Sequence, residues 1–365
     1  MVKGIYVHIP FCSYRCPYCD FYSLVDSPVG PSEYVDLILK EAELYRDTPA
    51  SPETLYLGGG TPTKLKPGDI RRIVEGIGEI FGVSRFEEVT VECNPEDYGE
   101  KEFRSLKACG VNRVSVGVQS FTEKGLRVLG RRHTASDVFR TFLSLRDAGF
   151  DNVNLDLIYG YPGQKKEDLI RDLEAVAYLS PDHVSFYLLT PHRGTPLGLK
   201  VLSGDVRMPE DEEIWDLHSL LWKALKDLGY VRYEISNWAR PGKECRHNLI
   251  YWTMKEFLGL GPSAWGFVGR VRYGNVRNIT LYRDRVLHRR RPVEKEVKLS
   301  EEDLFEEGLM LSLRLRRGIP EELVPPHLKD LFEPAPGGLT VKEDYMILTN
   351  EIITDLLVYN SIGRR

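Results

Sequence analysis

Short apolar runs, rich in β-branched and aromatic residues, recur along the first half of the chain and predict strands. They cover residues 5–9, 55–57, 89–92, 114–118, 153–158 and 184–189. Between them apolar residues recur at helical spacing, as at Ile70, Ile73 and Ile77. Strand and helix thus alternate six times, which is typical of parallel strands joined by right-handed helical crossovers. The pattern predicts an α/β fold, a partial (β/α)6 barrel, over residues 1–200.

The alternation stops near residue 200. A helix over 214–228 and a strand over 230–235 open a second region, 201–299, which we interpret as a linker that also carries the motif His247-Asn248-Leu249-Ile250-Tyr251-Trp252. From residue 300 the pattern predicts a helix over 304–315, another over 321–331, a hairpin over 339–348 and a final helix. This order is that of a winged helix, so we expect residues 300–365 to form a C-terminal α+β, winged-helix-like domain.

The net charge and the length of the apolar runs argue against some classes of protein. The net charge is −5, and no basic face announces a nucleic-acid partner. The C-terminal region is rather acidic, with Glu306, Glu307 and Glu343, so a structural or docking role is favoured there over DNA binding. The absence of an 18-residue apolar run and of a signal sequence predicts a cytoplasmic protein.

Three of the six cysteines, Cys12, Cys16 and Cys19, fall at C-x3-C-x2-C spacing straight after the first predicted strand. A [4Fe–4S] cluster normally takes four thiolates, so a cluster held by three keeps one iron open for a ligand. A zinc site with His8 or a later histidine as fourth ligand is the alternative that the ligand types permit. Zinc ribbons use paired C-x2-C units and this chain has only one, so the spacing favours the cluster.

The other conspicuous motifs follow the ends of the predicted strands, where the active sites of such barrels lie. Three glycines, residues 58–60, end the second strand and let backbone amides approach a ligand, although they could also form a plain tight turn. Glu92 ends the third strand and is suited to bind a pair of ribose hydroxyls. Gln119, Arg131 and Asp156 complete a polar ring, although each alone could be an ordinary strand-end or loop residue.

The cysteine motif, with Tyr18 between its last two cysteines, resembles that of the radical S-adenosylmethionine superfamily. With the polar ring, the likeness is to the oxygen-independent coproporphyrinogen III oxidase-like branch, and it covers nearly the whole chain. This resemblance implies that the open iron chelates the methionine amino and carboxylate groups of S-adenosylmethionine. An electron from a donor protein then passes through the cluster and cleaves the cofactor to a 5′-deoxyadenosyl radical.

The resemblance also implies roles for individual residues around that cofactor. Tyr6 and Tyr18 would pack near it, and Leu188 would line its adenine side. The methionine end would meet Gly59, Gly60 and Thr61, and the ribose and carboxylate would contact Glu92, Gln119, Arg131 and Asp156.

Two members of the branch differ at two places in the sequence. The oxidases continue with a further cysteine two positions after the third, where this chain has Phe21. The heme chaperones carry H-N-x-x-Y-W, which this chain matches at 247–252. The resemblance implies that His247 ligates heme iron, for which neutral imidazole is suitable, while the aromatic pair offers apolar surface. A buried histidine satisfied by hydrogen bonds is the alternative, and we interpret Cys245 as a free thiol.

We therefore predict a heme chaperone that binds a [4Fe–4S] cluster, S-adenosylmethionine and heme, and hands heme to a respiratory, membrane-associated acceptor protein. Radical decarboxylation of coproporphyrinogen III is the alternative. Because the sequence leaves open whether the cofactor is cleaved during heme transfer, we assign no catalytic residue.

Overall fold

The computed structural model describes residues 1–362. The strands, numbered in chain order, are β1 (Val2–Ile9), β2 (Ala50–Gly59), β3 (Glu88–Cys93), β4 (Arg113–Gln119), β5 (Val153–Tyr159), β6 (His183–Leu188), β7 (Val231–Glu234), β8 (Asn237–Ala239), β9 (Phe257–Leu260), β10 (Trp265–Val268), β11 (Val271–Asn275), β12 (Val293–Lys298), β13 (Phe332–Ala335) and β14 (Gly338–Val341). The α-helices are α1 (Pro31–Glu43), α2 (Pro67–Phe81), α3 (Glu100–Ala108), α4 (Glu123–Val128), α5 (Ala135–Asp147), α6 (Lys166–Leu179), α7 (Pro196–Leu202), α8 (Asp211–Asp227), α9 (Arg246–Trp252), α10 (Ile279–Leu287), α11 (Glu301–Ser312) and α12 (Thr349–Ile362).

One large sheet organises the chain, in the strand order β12-β11-β10-β9-β1-β2-β3-β4-β5-β6-β8-β7. Strands β1 to β6 pair in parallel with their neighbours, and each is followed by one or more helices. This confirms the six predicted strands and the predicted six-unit α/β arrangement. Within the described residues, no helix has the length and apolar character needed to cross a bilayer.

The two faces of β1 to β6 differ because successive side chains of a strand point to opposite sides. One face is apolar and shares a single buried core with the helices, as Val7, Leu57 and Val116 do with Ile73 and Leu145. The other face carries polar and aromatic residues, and the pairing aligns them between strands. Tyr6 pairs with Tyr56, Glu92 with Ser115, and Gly117 with Asp156. The interior of the partial barrel is therefore polar.

Residues 201–299 supply both edges of the sheet. Strands β7 and β8 continue it beyond β6, and β9 pairs in parallel with β1 before β10 to β12 extend it in antiparallel fashion. The helix predicted over 214–228 and the strand predicted over 230–235 are present as α8 and β7, whereas the sequence pattern gave no signal for β8 to β12. The division of the chain at residues 200 and 299 stays a prediction about domains.

The C-terminal region has an apolar cluster of its own, which includes Leu309, Leu313, Val341 and Leu356. The helices predicted at its two ends are present as α11 and α12. The helix predicted over 321–331 is wrong: 3-10 helices Glu321–Leu323 and Pro326–Leu331 occupy it, because the prolines at 320, 325 and 326 lack the N–H that a continuous helix needs. The hairpin, β13 with β14, also lies earlier than predicted, and a 3-10 helix covers Glu343–Leu348.

A buried carboxylate joins the first helix to the added edge of the sheet. Glu41 of α1 is fully buried and accepts hydrogen bonds from the Tyr282 hydroxyl (2.7 Å), the Gly261 N–H (2.7 Å) and the Asn275 amide (2.6 Å). Burial raises the pKa of Glu41 from its ordinary 4.5 to about 7, and the three donors partly oppose that shift. This single side chain therefore satisfies donors from three segments between β9 and α10.

We expect Glu41→Ala to lower the free energy of unfolding by roughly 3 kcal/mol, because three buried donors lose their acceptor. Urea unfolding followed by circular dichroism measures this. Glu43→Ala, an exposed acidic residue on the same helix, is the matched control and should change stability by less than about 0.5 kcal/mol. Equal effects of the two variants would contradict the role given to Glu41.

The same carboxyl group should make stability depend on pH. Because its pKa is raised in the folded state, its protonation stabilises the protein fully below about pH 4.5, and this stabilisation is lost as the pH rises to about 7. In Glu41→Gln the contribution is absent. The stability of the wild type relative to Glu41→Gln should therefore fall between these two pH values, and a flat difference would exclude the raised pKa.

Candidate cofactor site

The cysteine loop leaves β1 and lies against the glycine turn that ends β2. The Gly60 N–H donates to the Ile9 carbonyl (2.7 Å), the Thr61 N–H donates to the Phe11 carbonyl (2.8 Å), and the Cys12 N–H donates to the Leu24 carbonyl (3.0 Å). These backbone bonds fix the first cysteine at the end of the sheet, and its sulfur also contacts the Thr61 hydroxyl (3.5 Å).

This loop covers a cavity of about 390 Å³ at the carboxyl ends of β1 to β6, which we call the cofactor cavity. That volume lies within the range of small-molecule sites. Among the predicted site residues, its lining includes Cys12, Cys16, Cys19, Tyr18, Gly59, Gly60, Thr61, Glu92, Gln119, Arg131, Asp156 and Leu188. The structure thus places twelve residues that the sequence singled out around one cavity.

The glycines of residues 58–60 allow other residues of the protein to pack closely against this turn. A Cβ on Gly58 would lie 2.8 Å from the Glu92 carboxylate, and one on Gly60 would lie 2.7 Å from the Phe11 carbonyl. Gly59 has a φ of +110° and packs against the ring of His8. The N–H groups of Gly59 and Gly60 already donate to Glu92 and Ile9, so the remaining polar groups of this turn are its carbonyl oxygens. Carbonyl oxygens suit a cationic amino group.

Two half-buried carboxylates lie on the wall of the cofactor cavity. Glu92 accepts from the Tyr56 hydroxyl (2.8 Å) and the Gly59 N–H (3.0 Å). Asp156 accepts from the Ser115 hydroxyl (2.7 Å) and the Asn154 amide (2.9 Å). Burial, with a smaller repulsion from Asp156, raises the pKa of Glu92 to about 7, and burial also raises the pKa of Asp156. A hydroxyl-bearing ligand could accept from or donate to this pair.

Arg131 connects the cysteine loop to the sheet. Its guanidinium donates to the Asn94 amide oxygen (2.5 Å), to the Gly117 carbonyl (3.0 Å) and to the sulfur of Cys16 (3.6 Å). Two buried polar atoms of the lining have no partner in the structure, the Nε of Arg131 and the Oε1 of Gln119. Such atoms are costly to leave unsatisfied. They mark the cavity as a place where a polar ligand completes the hydrogen bonding.

Gln119 is held in an uncommon backbone conformation. Its φ is +63°, and the pairing of β4 with β5 shifts register between Gly117 and Gln119. A bulge of this kind re-aims a side chain, and a left-handed residue other than glycine is strained. The strain coincides with the unpartnered Oε1, which supports a binding role for Gln119.

The three cysteines share the cavity as free thiols. Across residues 1–362 no three histidine, cysteine or acidic side chains are grouped as ligands of a single metal ion. Each thiolate of a [4Fe–4S] cluster binds a different iron, so its ligands need not converge on one point. Burial raises the pKa of Cys12, and that of Cys19 to about 11, so both thiols must release a proton when metal binds. The donor set fits a cluster.

His8, the candidate fourth ligand of a zinc site, is engaged elsewhere. Its Nε2 bonds to the Tyr22 carbonyl (2.7 Å) and its Nδ1 to the Tyr6 hydroxyl (3.1 Å). Both ring nitrogens are therefore occupied by protein groups.

Tyr6 and His247 lie outside the cofactor cavity. Tyr6 instead lines a second cavity of about 430 Å³, which we call the aromatic cavity. His247 lines neither, since its side chain is fully buried beneath Tyr251 and Tyr56. Asp20 and Phe21 line both cavities, so the segment after Cys19 separates them.

The sequence interpretation gave no site role to several residues of the cofactor cavity, among them Tyr56 and Asn94. Tyr56 holds Glu92, and Asn94 accepts from Arg131 while its amide donates to the Thr61 hydroxyl (3.0 Å). Strand periodicity would have found Tyr56, which lies two positions before Gly58 on the polar face of β2. Asn94 directly follows β3, where rim residues are expected.

Known proteins resemble this chain in sequence and in fold. A family model described as the radical SAM superfamily matches residues 6–176. A protein of Mycobacterium tuberculosis named heme chaperone HemW is 34% identical over 99% of this chain and 95% of its own length. A Bacillus subtilis protein of the same name is 33% identical over 96% of each chain. The solved Escherichia coli coproporphyrinogen III oxidase, HemN, described as a radical SAM enzyme, superposes with a TM-score of 0.83 at 24% identity, over 98% of this chain and 90% of that one.

We expect Gly60→Ala to displace the cysteine loop, because its Cβ would collide with backbone carbonyls rather than with a movable side chain. The cost should be roughly 1–3 kcal/mol of unfolding free energy, typical of overpacking. Anaerobic reconstitution should then give fewer irons per chain than the wild type. Gly68→Ala is the control, since a Cβ there meets nothing within 4 Å. Full iron loading of Gly60→Ala would contradict this account of the loop.

Proposed function

The chain belongs to the radical SAM superfamily and, within it, to the family of relatives named HemW, and from this premise we propose that it is a heme chaperone. One observation carries the proposal: the similarity to a protein named heme chaperone extends over 99% of this chain. The chain also has, at α9, the H-N-x-x-Y-W segment that the family resemblance connects with heme. Phe21, where the oxidases have a further cysteine, also supports it. Radical decarboxylation of coproporphyrinogen III is the less favoured function, since likeness to the solved oxidase concerns the fold.

In this proposal Cys12, Cys16 and Cys19 hold three irons of a [4Fe–4S] cluster in the cofactor cavity. When bound, the cluster would supply the electron for cleavage of S-adenosylmethionine. The chain's own residues then position that cofactor. The carbonyls of the glycine turn accept from its amino group, Arg131 and Gln119 meet its carboxylate, and the half-buried pair Glu92 and Asp156 binds its ribose hydroxyls.

The proposed cargo is heme, and the proposed partners are an acceptor protein for heme and an electron donor for the cluster. The heme-binding element in this proposal is α9. Its position is fixed by Glu88, whose carboxylate accepts from the N–H groups of Arg246 (2.9 Å) and His247 (3.0 Å) at the amino end of the helix. A carboxylate at that end is also favoured by the helix dipole. The sequence prediction that His247 ligates the iron stays a prediction.

The test of function is anaerobic reconstitution with iron and sulfide, followed by a heme titration in the Soret region and an assay for coproporphyrinogen decarboxylation with a reductant. We expect saturable, stoichiometric heme binding and no decarboxylation. Decarboxylation without stable heme binding would assign the chain to the oxidases instead.

We expect Cys16→Ala to lose the cluster, because a site of three thiolates cannot spare one, with less than about one tenth of the wild-type cluster absorbance after reconstitution. Cys109→Ala, another buried free thiol but outside the cofactor cavity, should load normally. Iron and sulfide analysis with electron paramagnetic resonance of the reduced protein measures both. Normal cluster content in Cys16→Ala would remove this cysteine from the ligand set.

A further inference from the structure

The aromatic cavity lies between the segment after Cys19, the β9–β10 edge of the sheet and α11. Its walls carry nine aromatic or apolar side chains: Tyr6, Phe21, Tyr22, Tyr251, Met254, Phe257, Trp265, Phe267 and Leu311. Trp265 is 45% exposed and Phe21 is 61% exposed, which is unusual for such large side chains. An open cavity with these walls suits a flat apolar ring system.

The charges at this cavity suit carboxylates. Arg272 is paired with Glu307 (2.7 Å). Lys255 and Arg277 are exposed, and in the described part of the chain neither forms an ion pair with a side chain. Arg277 donates to the backbone carbonyl of Asp20, whose own carboxylate also lines the cavity. Two cations that form no side-chain ion pair, beside an aromatic wall, match a planar macrocycle that bears two carboxylates, which is the chemistry of heme.

We propose that heme docks in the aromatic cavity with the Tyr251 phenolate oxygen as its iron ligand and with His247 as the residue that positions this oxygen. The inference rests on the proposed function, because it takes heme as the cargo. It differs from the sequence prediction in the ligand atom.

The geometry favours Tyr251 over His247 because only Tyr251 lines the cavity. The imidazole of His247 is fully buried, and both its nitrogens are engaged: Nδ1 with the Thr54 hydroxyl (2.7 Å) and Nε2 with the Tyr251 hydroxyl (2.7 Å). The two side chains are four residues apart on α9 and therefore lie on one helix face. Iron in the cavity would meet the phenol first, and the imidazole lies behind it.

The ring of Tyr251 is held in place from a second side. It packs edge-on against Phe257 of β9, with centroids 4.5 Å apart, and edge-on against His247 at 5.0 Å. Neutral imidazole can donate its Nε2–H to the phenolate oxygen while Nδ1 accepts from the Thr54 hydroxyl. Such an outer hydrogen bond orients a ligand and typically changes metal affinity by roughly 10–100-fold.

The binding step balances simply. Ferric heme exchanges a water or hydroxide ligand for the phenolate oxygen, the iron–oxygen bond forms, and the phenol proton leaves to solvent. No oxidation or reduction of the protein occurs, and tyrosinate is an established type of heme ligand. The chain releases heme by the reverse exchange, when a proton returns to the phenolate.

The closing experiment titrates ferric heme and, separately, metal-free protoporphyrin into the reconstituted full chain and its variants. The wild type should show a phenolate-to-iron charge-transfer band and phenolate vibrations in resonance Raman spectra. Tyr251→Phe should lose both signatures and bind heme at least roughly tenfold more weakly, yet bind metal-free protoporphyrin like the wild type. That second measurement shows that Tyr251→Phe is folded and that its cavity is intact.

Three further variants sharpen the test. His247→Gln should keep the phenolate signatures, shifted in frequency, because the ligand remains while its hydrogen bond changes. Trp265→Ala should weaken both porphyrins. Tyr159→Phe is the matched control, since Tyr159 makes a similar bond to the His218 Nδ1 (3.1 Å) and lines neither cavity, so it should change nothing.

The outcomes separate this inference from the proposed function. Wild-type protein that binds no heme overturns the proposed function and, with it, the inference. Heme binding without a phenolate signature, or with the signature intact in Tyr251→Phe, overturns the assignment of Tyr251 and leaves the chaperone standing. If the spectra show an imidazole ligand and only His247→Gln removes that signature, then His247 is the iron ligand.

Discussion

The backbone bonds between the end of β1 and the glycine turn after β2 are the constraint on which the site depends. Parallel pairing runs from Gly4 to Ile9 against β2, and the same ladder continues through Gly60 and Thr61 to the carbonyls of Ile9 and Phe11. No side chain takes part in these two bonds. The two backbone segments can approach this closely because residue 60 is a glycine and has no Cβ. The cluster motif is thus attached to the sheet itself, which is buried and rigid.

The polar interior explains how much of the site the sequence could predict. Because strand side chains alternate, the positions at the ends of β2 to β5 had to share one face and one rim. Glu92, Gln119 and Asp156 were predictable on that ground, and the cysteines by their spacing. Tyr6 satisfied the same rule, yet it lines the other cavity, because β9 to β12 extend the sheet beyond β1 and enclose its side chain. That extension left no trace in the apolar pattern.

His247 shows a different limit of sequence reasoning. Its residue type and its motif predict a ligand, whereas its burial depends on Thr54 and Tyr56, nearly 200 positions away in the chain. Only tertiary structure shows that both imidazole nitrogens are engaged. In the C-terminal region, by contrast, the prolines within residues 320–326 already argued against a continuous helix over 321–331. The prediction was wrong there because helical periodicity was weighted above the missing proline N–H groups.

The two cavities are connected by protein contacts as well as by the shared Asp20–Phe21 segment. The ring of His247 packs 5.2 Å from Tyr56, whose hydroxyl donates to Glu92, and Glu92 in turn accepts from the Gly59 amide of the glycine turn. His247 is fully buried, whereas Tyr56, Gly59 and Glu92 are half-buried and line the cofactor cavity, so these contacts join α9 directly to the wall of that cavity.

A shift of α9 large enough to expose the His247 imidazole would therefore have to move Tyr56 and, with it, the carboxylate assigned to ribose. A phenolate ligand at Tyr251 does not require the imidazole to become exposed, since the Tyr251 side chain already lines the aromatic cavity. On that proposal, heme uptake at the aromatic cavity would leave the residues that line the cofactor cavity in place. On this argument the histidine and the tyrosine of the motif act as a pair, in which the tyrosine faces the cargo and the histidine joins it to the sheet.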